Sequence, residues 1–283
     1  MGLNPFFLVK VTDKKWADKF QDGQVYMRAL SCFGDLSRRE ADSNNTFRGD
    51  VLEGFSESFE NGHNPHAFIK TPSGRVEIVP NQVGLIDVLL LREKVFCLYS
   101  LEYDLQKGGF INPDMKMRDF GDTAVIITNP FAFIQRFCLK IIEKYDYDFW
   151  TSAKRVSYDI NLENEQYYDE YHKSPAYSWQ KEFRLVLDLA KGKFDAATLE
   201  NVTDFAKMTF LGKIELDTNP DSIADSLTLD IGDIHDISVS IPIMDFCDEY
   251  CNKHLPVPEP FEELDIPRPN YPTFFRLVAK CSE

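Results

Sequence analysis

Residues 24–30 (QVYMRAL) alternate apolar and polar positions with a period of two. This puts Val25, Met27 and Ala29 on one face of a predicted strand and Tyr26, Arg28 and Leu30 on the other. Ahead of it, residues 16–20 (WADKF) read as a short helical turn, closed by the turn pair Asp22 and Gly23. Residues 95–100 and 123–128 are apolar runs of strand length, and the β-branched content of the second predicts a buried strand. Asn129 and Pro130 follow, with apolar residues at helical spacing as far as Tyr145. Asn129 is the expected cap and Pro130 the first helical residue.

Elsewhere, Pro72 and Gly74 predict a tight turn between short strands at 67–70 and 75–79. The polar stretch 37–46 reads as a loop. Residues 156–160 and 226–229 read as strands, 163–172 as an exposed acidic loop or helix, and 195–207 as a helix. A further strand at 236–243 should end or lie at a sheet edge, because Pro242 has no donor for a ladder. No repeat or low-complexity linker interrupts the chain. The expected architecture is one α+β domain over 1–283, many short strands with a few packed helices. Its core is expected at about 16–245, and 246–283 is read as a proline-rich extended tail packing on the body.

Composition narrows the function classes. The 283 residues are 43% hydrophobic and 13% aromatic, with 23 Phe and 12 Tyr, which suits a folded chain with a sizeable core. No apolar run reaches the roughly eighteen residues of a membrane span. The N-terminal residues lack a basic leader and a small-residue cleavage site, and Phe6 stands where a myristoylation signal needs Ser or Thr. A cytoplasmic location is expected. Net charge is −15, from 46 acidic and 31 basic residues, which argues against nonspecific nucleic-acid binding and leaves open an acidic mimic of nucleic acid.

The candidate chemistry centres on residues 177–187 (YSWQKEFRLVL). Glu182 and Arg184 share one face of this predicted strand, while Phe183, Leu185 and Leu187 take the face expected to be buried. A carboxylate and a guanidinium placed in this way form either a structural ion pair or part of a polar site. In residues 47–55, Gly49 and Gly54 bracket Asp50 and Glu53, with Arg48 just ahead. These form either a capped surface turn or a polar loop folding over the site. Asp50, Glu53 and Glu182 could also be joined as a magnesium cluster for phosphodiester cleavage, although no acidic-x-Lys nuclease strand accompanies them. Cys247, Cys251 and His254 could share a helix face, and without a fourth zinc ligand a buried seam is the alternative. His63 and His66 read as part of a polar loop. No metal is expected. Phosphate-loop, nucleophile-elbow and paired-cysteine zinc motifs are absent from the sequence.

Four segments in order, DGQVYMRALSCFGD, RGDVLEGF, FGDTAVIITNPFAFIQRF and KSPAYSWQKEFRLVLDL, resemble the bacterial domain-of-unknown-function 2971 family, found near phage-defence and abortive-infection genes. The resemblance spans about residues 16–190. The matching pieces are 23–30, Asp50 with Glu53, 95–100, 121–137, and Lys173 with Glu182, Phe183 and Arg184. Two departures are Met117, Arg118, Asp119 and Phe120 in place of the family's W-x-x-Y, and a long 50–95 segment carrying His63 and His66. The same order is similar to the DNA ADP-ribosyltransferase toxins, which have an early arginine, a middle strand and a late Q-x-E-F strand. That likeness implies an ADP-ribosyltransferase-like fold, NAD as substrate and Glu182 as the catalytic carboxylate. Arg28 or Arg48 would hold the pyrophosphate, and Arg184 would either bind substrate or lock Glu182 in place.

The leading expectation is therefore a defence-related, nucleotide-handling protein carrying out ADP-ribosyl transfer or NAD cleavage. The alternatives are a non-enzymatic protein that sequesters a nucleotide signal or a partner protein, and a metal-dependent nuclease. Geometry discriminates among them: an enzyme needs Glu182 in a concave site with an arginine across it, whereas Glu182 buried and paired only with Arg184 would undercut that reading.

Overall fold

The structure, a computed structural model, describes residues 4–30, 32–33, 93–146, 149–160, 169–189, 221 and 224–264 with their side chains, together with the backbone of strands at 55–60, 68–71, 74–77, 82–87, 192–193, 215–216 and 275–279. In chain order the strands are β1 (Phe6–Thr12), β2 (Gln24–Ala29), β3 (Phe55–Glu60), β4 (Phe68–Thr71), β5 (Gly74–Glu77), β6 (Gln82–Asp87), β7 (Lys94–Asp104) and β8 (Gly109–Phe110). They continue with β9 (Thr123–Ile127), β10 (Trp150–Arg155), β11 (Glu182–Asp188), β12 (Gly192–Lys193), β13 (Glu215–Leu216), β14 (Ser226–Asp230), β15 (Ser238–Pro242) and β16 (Phe275–Ala279). Among the described residues, the α-helices with defined bounds are α1 (Lys14–Gln21), α2 (Pro130–Tyr145), α3 (Ile243–Cys247) and α4 (Tyr250–His254). The chain is α+β, as expected, and none of the described helices is long and apolar enough to cross a membrane.

The main sheet is antiparallel, in the order β10-β11-β7-β1-β9-β15, with β2 and β14 branching from it. Its strands are apolar on both sides because both faces are covered. On one face, Phe20 of α1 and Phe133, Phe137 and Ile141 of α2 pack onto Phe6, Leu8, Phe96, Leu98, Phe183 and Leu185. On the other, Met117, Phe246, Cys247 and Cys251 cover Phe7, Val9, Tyr99, Ala124 and Ile126. Each large apolar side chain fully buried here contributes roughly 1.5–3 kcal/mol of transfer free energy.

Several expectations are met at the level of single residues. Asn129 caps α2 by accepting from the Ala132 N–H at 3.0 Å, and Pro130 opens the helix. Pro242 closes β15, an edge strand. Strands β4 and β5 form the expected hairpin, with Thr71 opposite Gly74. Other expectations need correction. The strand expected at 156–160 is instead β10, which ends at Arg155. From Val156 onward the backbone serves a covering loop, where Ser157 bonds Tyr171 and Lys173. The tail expected at 246–283 first forms α3 and α4. The extended part then begins at Leu255, with Phe261 against Phe6 (4.8 Å between ring centroids) and Leu264 bridged to Ala153. The helix expected at 195–207 lies outside the described residues.

One feature of the topology positions the site. Along one edge, β7 pairs residues Lys94 to Tyr99 with β11. Along its other edge, Tyr99 to Glu102 pair with β1, while Lys94 and Val95 pair with β2. Strand β1 must follow β9, pairing Lys10, Val11 and Thr12 with Val125, Ala124 and Thr123. Strand β2 follows β14. The two therefore part at Phe96 to Leu98, and the sheet forks.

Candidate functional site: the fork cavity

A forked sheet leaves backbone groups without a ladder partner, and a buried carbonyl left unsatisfied costs about 1–3 kcal/mol. Here the carbonyl of Cys97 accepts a hydrogen bond from Lys10 Nζ at 2.9 Å. Lys10 is the sole charged residue of β1, and its ammonium also lies 4.5 Å from the Phe96 ring centroid. The fork opens into a cavity of about 280 Å³. Lys10 and Val11 from β1, Arg28 from β2, Cys97 and Tyr99 from β7, and Lys173, Gln180 and Glu182 line it, and Phe33 and Phe120 add aromatic surface.

Register explains why the β2, β7 and β11 side chains meet. Glu182 stands opposite Tyr99, Arg184 opposite Cys97, and Val186 opposite Val95, which on its other side faces Arg28. Side chains directly opposite on one face of an antiparallel pair lie within about 4.5–5.5 Å at Cβ. The 3₁₀ helix Pro175–Gln180 ends at Lys181, whose φ of 38° is left-handed. That turn lets Gln180 and Glu182 both reach Lys173. Lys173 Nζ donates to Gln180 Oε1 at 2.9 Å and to Glu182 Oε2 at 2.8 Å.

Glu182 is 5% exposed. Arg184 Nε donates to its Oε1 at 2.8 Å, and Arg184 Nη1 donates to the Glu170 carbonyl. The Glu182 backbone N–H donates to Tyr158 Oη at 2.7 Å. Burial pushes the Glu182 carboxyl up, but the Arg184 and Lys173 charges and their hydrogen bonds outweigh it and hold the group well below the usual carboxylate range. Burial, then the Glu182 charge, push the Cys97 thiol far up, so it is not a thiolate nucleophile. Burial likewise raises the Tyr158 hydroxyl.

The Glu182 shift has a consequence for stability. Its folded-state value is depressed, so the carboxylate contributes stability fully above its ordinary value of 4.5. That contribution is lost as pH falls through the folded value. Urea denaturation at pH 7, 4 and 3 should show stability falling in acid, and Glu182→Gln should flatten that fall. An unchanged acid limb in the variant would assign the loss to other carboxylates.

The structure thus brings Glu182, Lys173 and Arg28 to one cavity. Arg184, expected among the substrate-binding residues, is fully buried behind Glu182 and does not line the cavity; it acts on substrate only through the position of Glu182. Arg48, Asp50 and Glu53, and with them the polar loop and the three-carboxylate metal cluster, lie outside the described residues, as do His63 and His66. Cys247 and Cys251 pack in the apolar layer, while His254 is exposed and set against Tyr250 with 4.5 Å between centroids, so the three do not converge. Among the described residues, no group of three or more metal-ligating side chains comes together.

Sequence reasoning overlooked Lys10, Gln180, Tyr158 and Cys97. For Lys10 there was a signal, a lone cation in the apolar run FFLVKVT. Gln180 was visible only as the first residue of the Q-x-E-F pattern, and for Tyr158 and Cys97 there was none, because their meeting depends on the covering loop. Arg28 was singled out, and its guanidinium has no hydrogen-bond or ion-pair partner among the described residues. Comparison with family models, with curated proteins and with solved structures yields no match in any of the three.

Proposed function

We propose that the fork cavity is the ligand site of a nucleotide-handling protein, with Arg28 as phosphate anchor and Glu182 as a fixed carboxylate. The observation that carries this reading is the Arg28 guanidinium, without a hydrogen-bond or ion-pair partner among the described residues, on the same cavity as Lys10 and Lys173. Three cations gathered around one concavity are a local inversion in a chain of net charge −15, and a concave cationic surface focuses its field on anions. Arginine suits phosphate because its planar fork matches two oxygens at once. Ligand sites usually span about 300–1,000 Å³, so a cavity of about 280 Å³ takes a phosphate and part of a nucleoside. A dinucleotide would extend out of its mouth.

Within this reading, ADP-ribosyl transfer or NAD cleavage is the proposed reaction. An ionised carboxylate on the cavity wall would stabilise the oxocarbenium character that builds at the ribose. The order of an early arginine on β2, a middle strand β7 and Glu182 opening a late strand supports an ADP-ribosyltransferase-like arrangement. A role near phage defence rests on the motif resemblance alone. One observation favours a non-enzymatic nucleotide binder instead: both Glu182 oxygens already accept hydrogen bonds from Arg184 and Lys173.

Calorimetric titration with AMP, ADP and NAD tests the site. Arg28→Ala should weaken binding by about 10- to 100-fold, the equivalent of one charge-assisted hydrogen bond of about 1.5–3 kcal/mol. If the wild type binds no nucleotide, the proposal fails. NAD turnover that is lost in Glu182→Gln, with folding retained by circular dichroism, supports the enzyme. Undiminished turnover removes Glu182 from the chemistry, and binding without turnover in either protein leaves the binder.

A further inference from the structure

We propose that Lys10 is a covalent capture site for a small carbonyl compound bearing an anionic group, held as an imine inside the fork cavity with Arg28 taking the anion. The carbonyl half of this proposal stands on Lys10 alone, and the anion half rests on the reading of Arg28 given above.

The geometry is that of an available amine. Lys10 Nζ has one hydrogen-bond acceptor, the Cys97 carbonyl, and no carboxylate oxygen at ion-pair distance among the described residues. A lysine that served only to balance Glu182 would sit on it, as Lys173 does at 2.8 Å. Lys10 instead lies over the Phe96 ring, a contact that favours its ammonium, and on the cavity wall, where burial disfavours it. Burial accordingly lowers its ammonium from the ordinary value, with Cys97 and Glu182 opposing that shift. The charged and titratable groups lining its cavity are Glu182, Lys173, Arg28, Cys97 and Tyr99, and of these Glu182 is the one held as an anion. Desolvation of a lysine favours the neutral amine, whose lone pair is the requirement for imine chemistry.

The step balances without an oxidant or reductant. The neutral amine's lone pair forms a bond to the carbonyl carbon, and the π electrons move to oxygen, which takes a proton. The nitrogen loses a proton to solvent. The carbinolamine then expels its hydroxyl as water, leaving a carbon–nitrogen double bond on Nζ. Arg28, on the other lip of the fork, supplies a cation for a carboxylate or phosphate carried by the same small molecule.

Reductive trapping tests both halves. The intact protein is treated at pH 7 with cyanoborohydride and either propionaldehyde, which is neutral, or glyoxylate, which is anionic, and the modified lysines are mapped by peptide mass spectrometry over time. Lys10 should react with propionaldehyde faster than the exposed Lys107, the direction in which burial moves its neutral fraction. Lys10→Arg should remove that modification while keeping the Cys97 hydrogen bond and the melting temperature. Arg28→Ala should slow glyoxylate trapping at Lys10 and leave propionaldehyde trapping unchanged. Trapping at Lys10 no faster than at Lys107 with both probes overturns the carbonyl half, even if AMP still binds. Fast trapping with no dependence of glyoxylate on Arg28 overturns the anion half and leaves the carbonyl half standing.

Discussion

Arg184→Met is expected to destabilise the protein by about 3–5 kcal/mol, because it removes one partner of a buried charge and leaves the other in place. The loss is large against the 5–15 kcal/mol that holds a typical domain together. Arg184 is fully buried, and its guanidinium spans two groups, the Glu182 carboxylate and the Glu170 carbonyl. Lysine cannot reproduce that span, so Arg184→Lys should recover only part of the loss. Removing the carboxylate as well takes the counterion from the buried Lys173, so Glu182→Leu with Arg184→Met should be less stable than Arg184→Met alone, but by less than Glu182→Leu costs on its own. Urea midpoints at pH 7 for the two single variants and the double variant supply the cycle. Single-variant losses that simply add in the double variant would show that Glu182 and Arg184 are not coupled as described.

Gly23→Ala is the second large effect, expected at about 2–4 kcal/mol from backbone strain and overpacking together. Gly23 has a φ of +99°, and a Cβ there would lie 2.3 Å from the Gly232 carbonyl oxygen. Neither backbone can yield easily, since the Gly23 carbonyl accepts from Ile231 N at 2.9 Å and Gly23 opens onto β2. Gly232 supplies the control. Its φ is +80°, but a Cβ there meets nothing within 4 Å, so Gly232→Ala should carry only the conformational cost, about 1–2 kcal/mol. Thermal melts of the two variants side by side separate strain from collision. Equal losses would mean that the contact between the two glycines contributes nothing.

The two variants also mark how far the sequence could be read. The turn at Asp22 and Gly23 was legible because glycine is the residue that adopts a positive φ without cost, and that is a local property. Its contact with Gly232 was not, since it joins residues more than two hundred positions apart. The same division runs through the site. Alternation in 182–187 correctly put Phe183, Leu185 and Leu187 toward a core. It suggested that the Glu182 face was the polar one, and that face is buried too, because residues 156–160 and 169–181 fold over it. Strands β1 and β10 were overlooked for a related reason. Strand β1 is apolar on both faces and lacks a period-two signal, and β10 (WTSAKR) is small and polar in composition yet buried for four of its six residues.

The sequence by itself determined the α+β class, the capped helix after Asn129, the edge position of Pro242, and the pairing of a carboxylate with a guanidinium two residues apart. Each of these follows from local stereochemistry or from periodicity within one element. Only the tertiary structure decided that Arg184 stands behind Glu182, that Lys173 reaches it from the covering loop, and that Lys10 and Arg28 face the same cavity. The physical reason is the fork: β1 is drawn aside by β9 and β2 by β14, so the space between them, and the side chains that line it, depend on pairings that no single stretch of chain encodes.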